Sequence, residues 1–142
     1  MVSNLTLTLS WDVQELTRLQ KAIHDHSNRQ GWDLVLQTQM DLVIEELVVN
    51  VMTHGDNSAR DTAEPGWVRI ELVEDHGLIT LVVTDNGTAF DSTQTPEPDL
   101  DAPLELRERG GLGVHFIREL TETFSYRRAG GCNVVTVQKR RG

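Results

Sequence analysis

At 142 residues the chain is long enough for one compact domain around one hydrophobic core, and its 38% hydrophobic content is globular rather than disordered. A formal net charge of −9 argues against a general nucleic-acid binder, whose affinity comes from Lys and Arg on phosphates; a nucleotide is still allowed, because a cation and backbone N–H groups can offset its charge. The lone cysteine, Cys132, rules out an internal disulfide, and no apolar run nears the roughly 20 residues that cross a bilayer.

The N-terminus has neither a basic n-region nor an apolar h-region, so no signal peptide is expected and a soluble cytoplasmic protein is the default. Leu5, Leu7 and Leu9 alternate with Thr6 and Thr8, the period of a half-buried strand. Asp12, with Glu15 three residues on, reads as a capping box opening a helix; Val13, Leu16, Leu19 and Ile23 follow at helical spacing and Gly31 is its stop. Asp33 reads as the cap of a second helix running from Leu34 to His54, with Gly55 closing it. Residues 56–66 are polar and read as a loop. Val68, Ile70 and Leu72 begin a strand, Asp75-His76-Gly77 signals a hairpin turn, and residues 78–84 form the return strand. Residues 88–109 hold three prolines and many acidic side chains, as in a lid. Gly110 to Gly113 open a short helix reaching Leu120, and a hairpin around Ala129-Gly130-Gly131 closes the chain, with Lys139, Arg140 and Arg141 as a solvated tail. This order predicts one domain over residues 1–142: a two-layer α/β sandwich, its sheet mixed but mostly antiparallel, with three helices on one face.

Three features carry chemistry. Glu46 and Asn50 lie four apart on the second helix, so they share a face, and His54 continues the row among apolar neighbours. Buried polar groups need partners, which a ligand or metal in a cleft would supply; a simply solvated polar face accounts for the helix alone equally well. Asp85 ends a hydrophobic strand, where it can accept a hydrogen bond from an exocyclic amino group, and Gly87 permits positive φ and close approach of a flat ring; taken alone, Asp-Asn-Gly is also an ordinary turn. Gly110-Gly111-Leu112-Gly113 frees the first N–H groups of a helix for an anion, yet it is neither a P-loop nor a dinucleotide fingerprint.

Taken together and in this order, the three resemble the GHKL (Bergerat-fold) ATPase superfamily, and within it the small anti-sigma factor serine/threonine kinases. Glu46 to Asn50 with His54-Gly55 looks like the N box, Asp85-Asn86-Gly87-Thr88-Ala89-Phe90-Asp91 the G1 box, and Arg109 to Gly113 with Phe116-Ile117 the G2 box.

The resemblance implies a protein serine/threonine kinase using ATP/ADP and Mg2+. Glu46 would be the catalytic base and Asn50 the metal ligand. Asp85 and Gly87 would hold the adenine, and Arg109, Gly110, Gly111, Leu112 and Gly113 the phosphates. The implied partners are a STAS-domain antagonist as phosphoacceptor, a sigma factor and a second copy of the chain, with no direct contact to nucleic acid or membrane. Asn133 stands where many relatives carry threonine; it can donate to a phosphate or cap the glycine turn. His54 is expected at a helix end, in packing or capping. The carboxylates Glu97, Asp99, Asp101, Glu105 and Glu108 are expected to face water or a partner. Two other readings are a nucleotide-gated binding module without turnover and the ATP-binding half of a split histidine kinase. Retained Glu46 argues against the first and the lack of a phosphoacceptor helical hairpin against the second.

Overall fold

Alternating side chains and two tight turns build the sheet. The computed structural model describes residues 2–54, 64–94 and 111–142. Its strands are β1 (Val2–Ser10), β2 (Trp67–Asp75), β3 (Leu78–Asp85), β4 (Thr123–Ala129) and β5 (Cys132–Arg140). They pair in the order β1-β2-β3-β5-β4. His76-Gly77 and Gly130-Gly131 turn the two hairpins with positive φ at all four residues, the handedness that matches strand twist in two-residue loops. Every pair among the described strands is antiparallel, so the sheet is not mixed: two of its four pairings are hairpins, and β1 and β5 enter their neighbours from the opposite end.

Because side chains alternate, residues in register share a face. Leu5, Leu72, Leu81, Val137 and Phe124 form one rank across the sheet; Leu7, Ile70, Val83, Val135 and Tyr126 form the next. The last rank is Leu9, Val68, Asp85, Asn133 and Arg128, where the apolar row turns polar at one end of the sheet.

Among the described residues three helices cover this face: α1 (Glu15–Gln30), α2 (Leu34–His54) and α3 (Gly111–Leu120). Leu19 and Ile23 of α1, Met40, Val43, Ile44, Leu47 and Val48 of α2, and Ile117 of α3 join the strand residues in one core cluster. Each fully buried side chain of this kind contributes roughly 1.5–3 kcal/mol. Asp33 caps α2 as expected, its Oδ1 accepting from Leu36 N–H at 2.8 Å. The capping box at Asp12 does not form. Asp12 Oδ1 accepts from Gln14 N–H at 2.9 Å, a turn of its own, and Glu15 pairs with Arg18 instead, so α1 starts at Glu15.

The basic C-terminus is not a solvated tail. Arg141 Nη1 donates to Glu74 Oε2 at 2.8 Å and Arg141 Nη2 donates to the Gln30 carbonyl, while Trp32 Nε1 donates to Glu74 Oε1 at 2.9 Å. Lys139 Nζ reaches the Leu120 carbonyl at 2.8 Å. The end of the chain is thus fastened to the α1–α2 turn through Glu74, whose side chain is only 12% exposed. Burial raises the Glu74 carboxyl, but the hydrogen bonds from Trp32 and Arg141 and the arginine charge outweigh it and hold it below the usual range. Arg141→Ala removes one partner of this pair and should cost about 1–2 kcal/mol, read as a fall of about 3–8 °C in Tm, whereas Arg140→Ala, at an exposed position, changes little. A folded-state value below the unfolded one contributes stability above the unfolded value and loses it as pH falls. The Tm gap between wild type and Arg141→Ala should therefore close in acid.

Candidate functional site

The last rank of the sheet meets the C-terminal half of α2. Asn50, His54, Asp85, Phe90, Ser92 and Asn133 line one pocket, walled by Leu47, Val51, Val83 and Val135. The helical spacing of Asn50 and His54 and the antiparallel pairing of Asp85 with Asn133 bring these residues to the same place.

Asp85 serves the fold and the pocket at once. Its Oδ1 accepts from Gly87 N–H at 2.8 Å and from Asn133 Nδ2 at 2.9 Å. Both bonds fall on one oxygen, which leaves Oδ2 for a ligand in the pocket. The first bond is an Asx turn, so the turn chemistry and the pocket chemistry coexist. It also explains Gly87, which lies outside the positive-φ residues: the aspartate side chain closes the turn without a left-handed residue. Burial raises the Asp85 carboxyl, against the hydrogen bonds from Asn133 and Gly87 and the charge of Arg128.

Asn133 is the hub of this end of the sheet, at 4% exposure. Its Nδ2 donates to Asp85 Oδ1 and to the Thr88 carbonyl, each at 2.9 Å. Its Oδ1 accepts from Phe90 N–H at 3.1 Å and from Tyr126 Oη–H at 2.7 Å. All four capacities of the amide are used. Asn133 therefore neither donates to a phosphate nor caps the glycine turn; it braces the loop after β3. Arg128 Nη1 donates to the Gly87 carbonyl at 2.8 Å, and Asn86 ties the same loop to Trp67 N–H at 2.8 Å and the Pro65 carbonyl at 3.0 Å.

Two further groups complete the pocket. His54 stacks on Phe90, ring centroids 4.3 Å apart and planes 13° apart, so it packs against the loop after β3 as well as lining the pocket. Ser92, in the 3-10 turn Ser92–Gln94, is 4% exposed and its Oγ finds no partner among the described residues. A buried orphan hydroxyl is costly, and a ligand atom in the pocket would satisfy it. Sequence reasoning missed Ser92, Arg128 and Tyr126. Hairpin register could have found Arg128, which pairs with Asn133, but nothing local marks Ser92.

Glu46, one turn before Asn50, sits elsewhere: its carboxyl lies against Gly113 near the start of α3. Burial and the neighbouring Glu45 raise it above an ordinary glutamate. Glu45, partly exposed, lines a groove together with Asp41 and with Lys21 and His24 of α1. Gly111 and Leu112 are the first residues of α3. Gly55, Arg109, Gly110 and the acidic residues Glu97 to Glu108 lie outside the described residues.

A family model for the histidine kinase-like ATPase domain matches residues 9–139. The chain belongs to this family. The match begins at the end of β1 and takes in β2, β3, β4, nearly all of β5, the three described helices and the pocket residues, so nucleotide binding follows from the family's ATPase fold. Among curated proteins this GHKL-type chain is similar to the serine/threonine-protein kinase BtrW of Bordetella bronchiseptica, 28% identical over 109 residues, covering 77% of this chain and 74% of that protein. Among solved structures it is similar to the histidine kinase domain of a blue-light activated histidine kinase from Erythrobacter litoralis EL346. The TM-score is 0.55 at 20% identity over 90% of this chain, a likeness of fold; the chain spans 60% of that structure. No described helix is long and apolar enough to cross a membrane.

Proposed function

We propose that this ATPase-domain chain is an ATP-dependent protein serine/threonine kinase that phosphorylates a STAS-domain antagonist and, in another state, sequesters a sigma factor, working as a homodimer. One observation carries the kinase reading: a carboxylate of raised proton affinity, Glu46, lies at the start of a glycine-opened helix, one turn from an amide in the Asp85 pocket. The similarity to a serine/threonine kinase supports the acceptor class.

The residues fit the ligand. Asp85 Oδ2 and the orphan Ser92 hydroxyl, in a pocket walled by Leu47, Val51, Val83 and Val135, suit a flat base with an exocyclic amino group. Asn50 offers a hard amide oxygen, the donor Mg2+ takes beside phosphates and water. Mg-ATP supplies the transferable phosphoryl group and a cation that offsets its charge. Asp85 accepts from the base amino group and fixes the nucleotide's direction. The first N–H groups of α3 offer partial positive charge to phosphate oxygens. Glu46 accepts the proton of the incoming Ser or Thr hydroxyl as its oxygen bonds to the γ-phosphorus and the bond to ADP breaks.

The test is transfer of radiolabel from ATP to a purified STAS protein. Acid-stable label supports serine or threonine as acceptor, and acid-labile, base-stable label points to histidine. Tight ATP binding with no label on any STAS protein supports the module without turnover. Asn50→Ala should weaken ATP binding in the presence of Mg2+ by about tenfold or more, with little change in EDTA, because only the metal-bridged contact is lost. Equal affinity of wild type and Asn50→Ala in both conditions removes Asn50 from the site.

A further inference from the structure

We propose that Gly113 is a positioning residue for Glu46: the missing side chain at the third residue of α3 lets the carboxylate lie where it can act. This rests on the kinase reading above. Gly113 was read from the sequence as part of a phosphate cradle, but the group against it is protein. A Cβ built at this position would lie 2.6 Å from Glu46 Cδ and 3.1 Å from Cγ, and closer still to Oε2. Real Cβ atoms do not approach other heavy atoms below 3.0 Å, so any residue larger than glycine must displace the carboxyl itself.

Which part yields decides the consequence. The clash is with the far end of a flexible, partly buried side chain, not with backbone. The protein can accommodate a methyl group by swinging the Glu46 carboxyl aside while α2 and α3 keep their places. Alanine is also the best helix former, so the helix itself is not weakened. The penalty therefore falls on where the carboxylate is held, not on the fold. Proton abstraction demands placement to within a fraction of an ångström, and a displacement of about 1 Å can cost about 100-fold in rate. Gly113 would thus set the position of the base, and the glycine turn would serve Glu46 as well as any anion.

The experiment uses the full chain as wild type, Gly113→Ala, Glu46→Asp, Glu46→Gln and the double variant Gly113→Ala/Glu46→Asp. Mg-ATP affinity, kcat for transfer to a STAS protein, and Tm are measured for each. Gly113→Ala should keep its Tm and ATP affinity within about twofold and lose about 10–100-fold in kcat. Glu46→Asp, one methylene shorter, should also be slow. The double variant should be little slower than Glu46→Asp alone, because both changes act through the placement of one carboxylate and so do not add. That non-additivity is something a purely structural or phosphate-binding glycine would not give. Wild-type kcat in Gly113→Ala, alongside loss of transfer in Glu46→Gln, overturns the inference while leaving the base assignment intact. So does a loss of ATP affinity in Gly113→Ala that the second change does not relieve. Wild-type transfer by Glu46→Gln overturns the base assignment and this inference with it.

Discussion

Glu46→Gln should lower the rate of phosphoryl transfer by about 10²–10⁴-fold, or about 2.7–5.5 kcal/mol of barrier, while ATP still binds. Glutamine keeps the length and shape of the side chain, so it keeps the contact at Gly113 and removes only the ability to take a proton. Burial and the adjacent Glu45 raise the Glu46 carboxyl. A base works when deprotonated, so kcat in the wild type should climb with pH and level off above a midpoint higher than that of an ordinary glutamate. Glu46→Gln should show no such limb. Equal rates for the two proteins across the pH range would remove Glu46 from the chemistry. A fall in kcat matched by an equal rise in the Kd for ATP would make it a binding residue instead.

Asp85→Asn should bind ATP about 10–100-fold more weakly and yet be the more stable protein near neutral pH. An ionised acceptor is worth about 1.5–3 kcal/mol to a donor, and asparagine turns an N–H2 group toward the amino group it should receive. The two internal bonds survive, because the amide oxygen can still accept from Gly87 N–H and Asn133 Nδ2. Stability moves the other way. Burial raises the Asp85 carboxyl above its unfolded value, so the folded state is penalised as pH rises through that raised value. Asparagine escapes the penalty, a gain on the order of 1 kcal/mol. Thermal unfolding should show Asp85→Asn ahead at neutral pH and level with wild type in acid, where Asp85 is protonated in both states. A variant less stable at neutral pH, with ATP affinity intact, would leave Asp85 as a turn residue and no more.

The elements were legible wherever a local pattern carried its own boundary. The α2 helix runs from Leu34 to His54 because Asp33 caps it and its apolar run has no break, and both hairpins sit where glycine allows positive φ. Local chemistry failed where one residue has two uses. Asp12 has the spacing of a capping box, but the same carboxylate closes a turn onto Gln14, and nothing within four residues decides between them. The candidate site was legible as three motifs and only partly as a place. Asn50 and Asp85 do share a pocket, whereas Glu46 is set against α3 by packing between helices that no motif encodes. Arg141 reads as a tail residue until its partner, Glu74, is brought to it from 67 positions away. Asn133 looked like a departure from a pattern because its four partners come from β3, the following loop and β4.

The register of the sheet has a consequence for how such a protein can change. Its two inner ranks are apolar across all five strands, while the outermost rank gives Leu9 and Val68 to the core on one side and holds Asp85, Asn133 and Arg128 on the other. Substitutions that retune which base is accepted can gather at the polar side of that last row and leave the two apolar rows untouched. A lineage built this way can exchange its small-molecule preference while its architecture stays fixed.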